Sequence, residues 1–332
     1  MSTDSHLTSS RAQFVEDART VIVWQSNDGD LIVTEEEDDA ARTSIYRLSD
    51  KLDRSMADDI KPGTPLASMV DLEGYVHVFY ANKEDRLMHV YSPRIEEWHE
   101  VNVSDDGGDI VMSGTTRLSA IHHVTRYNES AALILFQEPD EGEATMLISG
   151  DPLSSESWRR GDISWLTEEA AAWDYLGHAM VDEWHEPTGV EWRDKHYFLV
   201  ALEGPDGEVK ASECTMSRAR TDPICYDSDG DELVLTSQGT QLAWSRTFDA
   251  ENPDLRFLTL DAQGVIRDYR IQELEPREKG TRSWAHTGNR IGAMSGMPGG
   301  KMFARWEDRV FQYELVDGEW EGEGYLEQEV RG

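Results

Sequence analysis

The chain has 332 residues, 38% of them hydrophobic, and a formal net charge of -35. So acidic a surface is repelled by phosphate backbones and anionic membranes, which excludes nucleic acid and membrane surfaces as partners. No apolar run approaches the roughly 20 residues needed to cross a bilayer as a helix.

Residues 1–17 are polar and Ser/Thr-rich and are predicted to be a flexible or loosely docked N-terminal arm. They hold no apolar signal-like segment. The pattern of β-strands starts at Thr20, in TVIVWQSNDGDLIVTE, where two apolar runs flank an Asn-Asp-Gly-Asp turn. The same plan returns over residues 63–91, 114–149, 176–213, 239–271 and 280–315. It is clearest in GTQLAWSRTFDAENPDLRFLTLDAQGVIRDYRI, residues 239–271: a Gly-Thr entry, a short apolar run, a polar loop, then two strand-like runs around a glycine turn. Four modules open on Gly-Thr, at Gly63, Gly114, Gly239 and Gly280, and Trp98, Trp158 and Trp320 follow three of the hairpins.

Turn positions fall at Gly29, Asp85, Gly142, Gly207, Gly264 and Asp308, spaced from the mid-forties to the mid-sixties. Repeats of this size, each a small antiparallel sheet, are the signature of propeller blades. The predicted fold is all-β, a six-bladed β-propeller of four-stranded antiparallel blades in one domain over residues 18–332. The competing fold is a pair of two-sheet sandwiches. The first module lacks an opening strand, which either the far end of the chain or residues 1–17 would supply, closing the ring. Inner strands are expected near Leu66, Leu118, Leu176, Leu242 and Trp284. Residues 167–173 favour a short helix, and the glycine-rich stretch 292–300 reads as a loop at the rim.

Cys214 and Cys225 form neither a disulfide framework nor a zinc motif. They read as two lone thiols of a reducing cytosol, with a bridge between them as the alternative left open, and the expected location is the cytoplasm. No ligand set has metal spacing, and no phosphate loop or Ser nucleophile elbow is present, so no cofactor is expected. Neighbouring His122 and His123 point to opposite faces of a strand and cannot share one metal.

The module order Gly-Thr, loop, strand, glycine turn, strand, Trp resembles the fungal fucose-binding lectins, which are six-bladed propellers. The resemblance covers roughly residues 20–320. It implies sugar sites between blades, each with an Arg before the hairpin turn, a Glu after it and an aromatic platform. Guanidinium and carboxylate grip hydroxyls while the ring takes the apolar sugar face. In the fifth module these positions hold Arg256 and Asp268, and in the second His77 and His89. In the first they hold Val21 and Val33, in the third Ile134 and Met146, and in the fourth Leu199 and Ala211. The sixth has Gln312 and no clear Arg. The sugar machinery therefore reads as vestigial.

The predicted inner strands carry Trp244, Arg246, Trp284, His286, His178 and Arg117, with His122 and Trp184 at strand ends. Such residues converging on an axis would make an aromatic-walled pocket with hydrogen-bond donors. In lacking cofactor motifs and most sugar residues, the chain is similar to an offshoot of these lectins, the fungal hetero-Diels–Alderases of tropolonic sesquiterpenoid biosynthesis. That resemblance implies a cofactor-independent cycloaddition between a tropolone-derived quinone methide and an apolar terpene. Trp244, Trp284 and Trp184 would be walls, and Arg246, His286, His178, Arg117 or His122 would act as donor, acid or base. The alternatives are a lectin with one or two surviving sites, and an interaction scaffold. Self-association stays open.

Overall fold

The computed structural model describes residues 7–12, 19–37, 43–52, 59–105, 108–113, 117–125, 129–137, 144–154, 158–161, 197–203, 208–219, 221–235, 241–246, 255–261, 263–272, 275–282, 291–297, 300–306, 309–317 and 319–325. Four consecutive strands, β1 (Leu7–Ala12), β2 (Arg19–Gln25), β3 (Leu31–Glu37) and β4 (Thr43–Arg47), form the first antiparallel sheet. The second holds β5 (Leu66–Val70), β6 (Val76–Ala81), β7 (Leu87–Arg94) and β8 (Glu97–Val101). A ribbon of β9 (Ser104–Asp105) and β10 (Gly108–Asp109) separates it from the third, made of β11 (Ser119–Val124), β12 (Ser130–Gln137), β13 (Ala144–Ser149) and β14 (Arg159–Gly161). The fourth shows β15 (Tyr197–Glu203), β16 (Glu208–Thr215) and β17 (Ile224–Leu235). The fifth holds β18 (Gln241–Arg246), β19 (Leu255–Leu260), β20 (Ile266–Gln272) and β21 (Glu275–Arg282). The sixth holds β22 (Ala293–Met297), β23 (Lys301–Trp306), β24 (Arg309–Val316) and β25 (Glu319–Tyr325).

First strands meet first strands: β5 touches β1 and β11, β22 touches β1 and β18. The sheets are thus arranged radially, a β-propeller, with a separate apolar core at each of five seams between neighbours. Val21, Val23, Val78 and Trp98 fill the seam between the first and second sheets. Phe79, Ile134 and Trp158 fill the next, and Leu133, Met146 and Val200 the one after. Leu258, Met294 and Trp320 fill the fifth–sixth seam, and Leu7, Ile22 and Phe303 the sixth–first. This explains the apolar runs. A middle strand such as β2, RTVIVWQ, is buried at every residue because a sheet covers each face. The outer strand β8 buries chiefly Trp98 and leaves its charged residues to water.

Of the six expected turn positions, Gly29, Asp85 and Gly264 lie between the second and third strands of their sheets, and Gly142, Gly207 and Asp308 lie outside the described residues. Gly29 and Gly264 have φ of 91° and 79°, and Asp85 has 62°. Asp85 adopts this left-handed geometry in a turn where Asn82 Oδ1 accepts the backbone N–H groups of Glu84 and Arg86.

Three expectations are corrected. Residues 7–12 of the expected arm are strand β1, paired to β2 from Leu7↔Trp24 to Ala12↔Arg19. They supply the missing inner strand, so the first sheet closes without a strand from the far end. The last module's inner strand is β22, within the stretch read as a glycine-rich loop, and Gly280-Thr281 lies in β21 instead. Cys214 is not a free thiol: it is disulfide-bonded and stands opposite Cys225, the other cysteine of the chain. The expected helix at 167–173 and the inner strand near Leu176 lie outside the described residues.

Candidate functional site

Ladder register defines equivalent positions at each seam. Leu258 pairs with Asp268 as Phe79 pairs with His89, Val23 with Val33, Leu135 with Met146, Ala201 with Ala211 and Phe303 with Gln312. Stepping back two residues gives Arg256, His77, Val21, Leu133, Leu199 and Lys301. The third-module expectation of Ile134 is thereby corrected to Leu133. Ile134 faces the second sheet with Phe79, whereas Met146 faces the other way, because a slip of one residue exchanges the faces. The sixth sheet does carry a cation, Lys301.

At the fifth–sixth seam Arg256 Nη1 donates to Asp268 Oδ2 at 2.7 Å, and Trp320 Nε1 of the sixth sheet donates to the same oxygen at 3.1 Å. Arg256 is fully buried and the Asp268 side chain is 12% exposed. Guanidinium, carboxylate and indole from two sheets thus meet at one atom. Trp158 and Trp98 take the place of Trp320 at the second–third and first–second seams. These tryptophans were legible as the last residue of each module, but the sheet they serve is the preceding one.

At the second–third seam His77 Nδ1 and His89 Nε2 are 2.9 Å apart, and His77 Nε2 lies 3.0 Å from Asp71 Oδ2. His89 stacks on Phe79 at 4.4 Å and meets Trp158 edge-on at 6.5 Å. Burial, then the neighbouring His77, holds the His89 imidazole well below its usual pKa. His122 lies on the third sheet, with Nε2 2.6 Å from Ser130 Oγ. Burial lowers it to about 4; Asp71 opposes the shift and His77 adds to it.

The first–second seam has apolar Val21 and Val33 but carries an ion pair one step further out, which sequence reasoning missed. Arg19 Nη1 donates to Glu35 Oε1 at 3.0 Å and Arg19 Nη2 to the Ser92 carbonyl at 2.5 Å. Glu96 N–H donates to Glu35 Oε2, and Trp98 Nε1 to the Tyr46 hydroxyl. Burial raises the Glu35 carboxyl more than the Arg19 guanidinium lowers it. The partner spacing of 16 residues, against 12 for Arg256 and Asp268, hid this pair.

The expected axial set is dispersed where it is described. Trp244 is buried against Phe257, ring centroids 4.7 Å apart, on the face opposite Ala243 and Leu258. His122 shares its face with Ala120 and Ile134 toward the second sheet. The two serve different seams. Arg117 is half-buried ahead of β11, and Arg246 ends β18 opposite Leu255. His178, Trp184, Trp284 and His286 lie outside the described residues. Among the described residues no three His, Cys, Asp or Glu side chains are grouped to hold a metal ion, and no helix is long and apolar enough to cross a membrane.

The architecture defines the class, a six-bladed β-propeller. Solved structures of similar fold include a fungal lectin and a lectin bound to a fucoside. AofleA from Arthrobotrys oligospora superposes with a TM-score of 0.66 at 10% identity, over 97% of this chain and 85% of that one. The lectin of Aleuria aurantia, described as a six-bladed β-propeller with a novel fucose recognition mode, gives 0.65 at 11%, over 97% and 96%. SapL1 lectin, solved with α-methyl fucoside, gives 0.64 at 12%, over 98% and 97%. No family profile matches the chain, and no curated protein matches it in sequence.

Proposed function

We propose that the protein is a carbohydrate-binding propeller of the lectin type, with its site at Arg256, Asp268 and Trp320. The observation that carries this is the convergence of guanidinium, carboxylate and indole on Asp268 Oδ2. A deoxy sugar presents hydroxyls to the charged pair and an apolar face to the ring. The similar structures are described as fucose-binding lectins, which favours this reading over the cycloaddition. Because Arg256 is closed off, a sugar hydroxyl must replace the indole N–H on Asp268. Binding is therefore weak, with a Kd of about 1 mM, or about -4 kcal/mol. Among the described residues, the equivalent positions at the other seams carry no such pair, so this reading rests on one site. The disulfide at Cys214 supports a working place outside the reducing cytosol, in place of the cytoplasmic expectation.

The test is saturation-transfer NMR and calorimetry with methyl α-fucoside. Wild type should bind saturably, Asp268→Asn should lose binding, and Trp320→Phe should keep the ring while changing affinity. Absence of binding by wild type to fucoside and to a panel of neutral monosaccharides would refute the proposal.

A further inference from the structure

Where the fifth–sixth seam is tied by a guanidinium, the equivalent positions of the second–third seam hold two imidazoles. Their hydrogen bonds admit only one proton arrangement without an added charge. Asp71 also accepts the Tyr75 backbone N–H through Oδ1, so it acts as an acceptor. His77 Nε2 then carries a proton toward Asp71 Oδ2. Only one proton fits between His77 Nδ1 and His89 Nε2. With both rings neutral it sits on His89 Nε2, and His89 Nδ1 is bare.

A further proton has no good place. On His89 it forms an Nδ1–H. On His77 it forces His89 into the other tautomer, which again carries its hydrogen on Nδ1. In both cases that N–H is fully buried, and His89 Nδ1 has no partner. It lies among Phe79, which stacks on the ring, and Trp158, which meets it edge-on. An unsatisfied buried donor next to a new charge is strongly unfavourable. His122 faces the same seam from the third sheet, coupled to Asp71 and His77. Among the described residues the remaining titratable groups on this face are Tyr91, stacked 6.1 Å from His77, and the exposed pair of His99 and Glu97 on the outer strand.

We propose that the seam between the second and third sheets is an acid-operated latch, closed while His89 and His122 are neutral and opened when they take up protons. The fifth–sixth seam, tied by the hydrogen bonds of Arg256 and Trp320 to Asp268, remains shut. The sign follows from linkage. A histidine depressed on folding contributes stability that is present above its unfolded pKa and is lost as pH falls toward the folded one. For His122, 6.5 falling to about 4 gives a rise of about 70-fold in the opening equilibrium between pH 8 and pH 4.5. His89 adds to this in the same direction.

The experiment is hydrogen exchange by mass spectrometry on the full chain at pH 7 and pH 4.5, corrected for intrinsic rates. Protection over β6, β7 and β11 should fall by more than about tenfold in acid, while β19 and β23 hold theirs. His122→Gln keeps a partner for Ser130, and His89→Phe keeps the stack on Phe79. Each should reduce the acid loss at this seam. Equal loss at both seams in wild type would overturn the proposal. So would a full acid loss in His122→Gln, which is readable even if His89→Phe does not fold.

Discussion

Gly296 is where the ring is tightest, and replacing it with alanine tests the packing directly. A Cβ at Gly296 would lie 2.0 Å from the Trp244 carbonyl oxygen and 2.6 Å from its carbon. Both are backbone atoms of the neighbouring inner strand, so no rotamer change relieves the overlap. An ordinary carbon–oxygen contact is roughly 3.3 Å, so β22 and β18 must separate by about 1 Å. Overpacking of this kind typically costs about 1–3 kcal/mol. The separation also opens the core of Ala243, Leu258 and Met294, and a gap of about 1 Å forfeits up to about half of each dispersion contact. We expect a total near 3 kcal/mol, and a fall in Tm of about 5 °C for a chain of this size. Sugar binding should weaken as well, since Trp320 reaches Asp268 across this seam. Urea and thermal unfolding give the stability. Gly29→Ala is the control, because its φ of 91° is strained for alanine but nothing lies within 4 Å of a Cβ there. If Gly296→Ala melts within about 1 °C of wild type, β18 and β22 are not in contact and the ring is wrongly drawn.

Three further outcomes are expected. Arg256→Met should cost about 3–5 kcal/mol by leaving Asp268 as a buried charge, and Arg256→Met with Asp268→Leu should recover much of that loss; equal destabilisation by single and double variants in urea would contradict a buried ion pair. Trp244→Phe should change stability by less than about 1.5 kcal/mol, because the indole Nε1 has no partner, whereas Trp244→Ala should lose about 3–5 kcal/mol of packing; calorimetric unfolding separates them. Thiol titration of unreduced, denatured protein should find no free cysteine, and one or more reactive thiols would contradict the disulfide at Cys214.

The turns and middle strands were legible because they obey local rules. Glycine or aspartate marks each hairpin, and sheets on both faces demand the apolar runs of β2, β6, β12, β19 and β23. The inner strands at the ring's closure were not. In β1, Thr8 and Ser9 look like a polar arm, yet Thr8 bonds Ser68 and Ser9 bonds Ser295, each at 2.8 Å. Their hydroxyls are satisfied by the neighbouring sheets, a partner the sequence does not name. In β22 the run AMSGM lacks β-branched residues because backbones approach so closely that Gly296 has no room for a side chain. The fifth–sixth site was half legible. Arg256 and Asp268 sit on the two strands that flank one hairpin turn, but Trp320 reaches them only through the order of sheets around the ring. Arg19 and Glu35 were hidden by register, one step beyond the positions inspected.

Among the described residues, the strands of each sheet follow one another in the chain, and the first and last sheets meet by contact between β1 and β22 rather than by exchanging a strand. The covalent ends therefore carry no special duty in holding the circle closed. New ends placed between any two sheets, with the old ones joined by a linker, leave every hydrogen-bonded ladder intact. Two fragments divided between the third and fourth sheets would each retain complete ladders and find each other through two apolar seams. A gene for such a chain can gain or lose a sheet by duplication without unravelling its neighbours, and can let each seam change its chemistry independently. Valine pairs, a histidine pair and an arginine–aspartate pair stand at equivalent places in this one molecule.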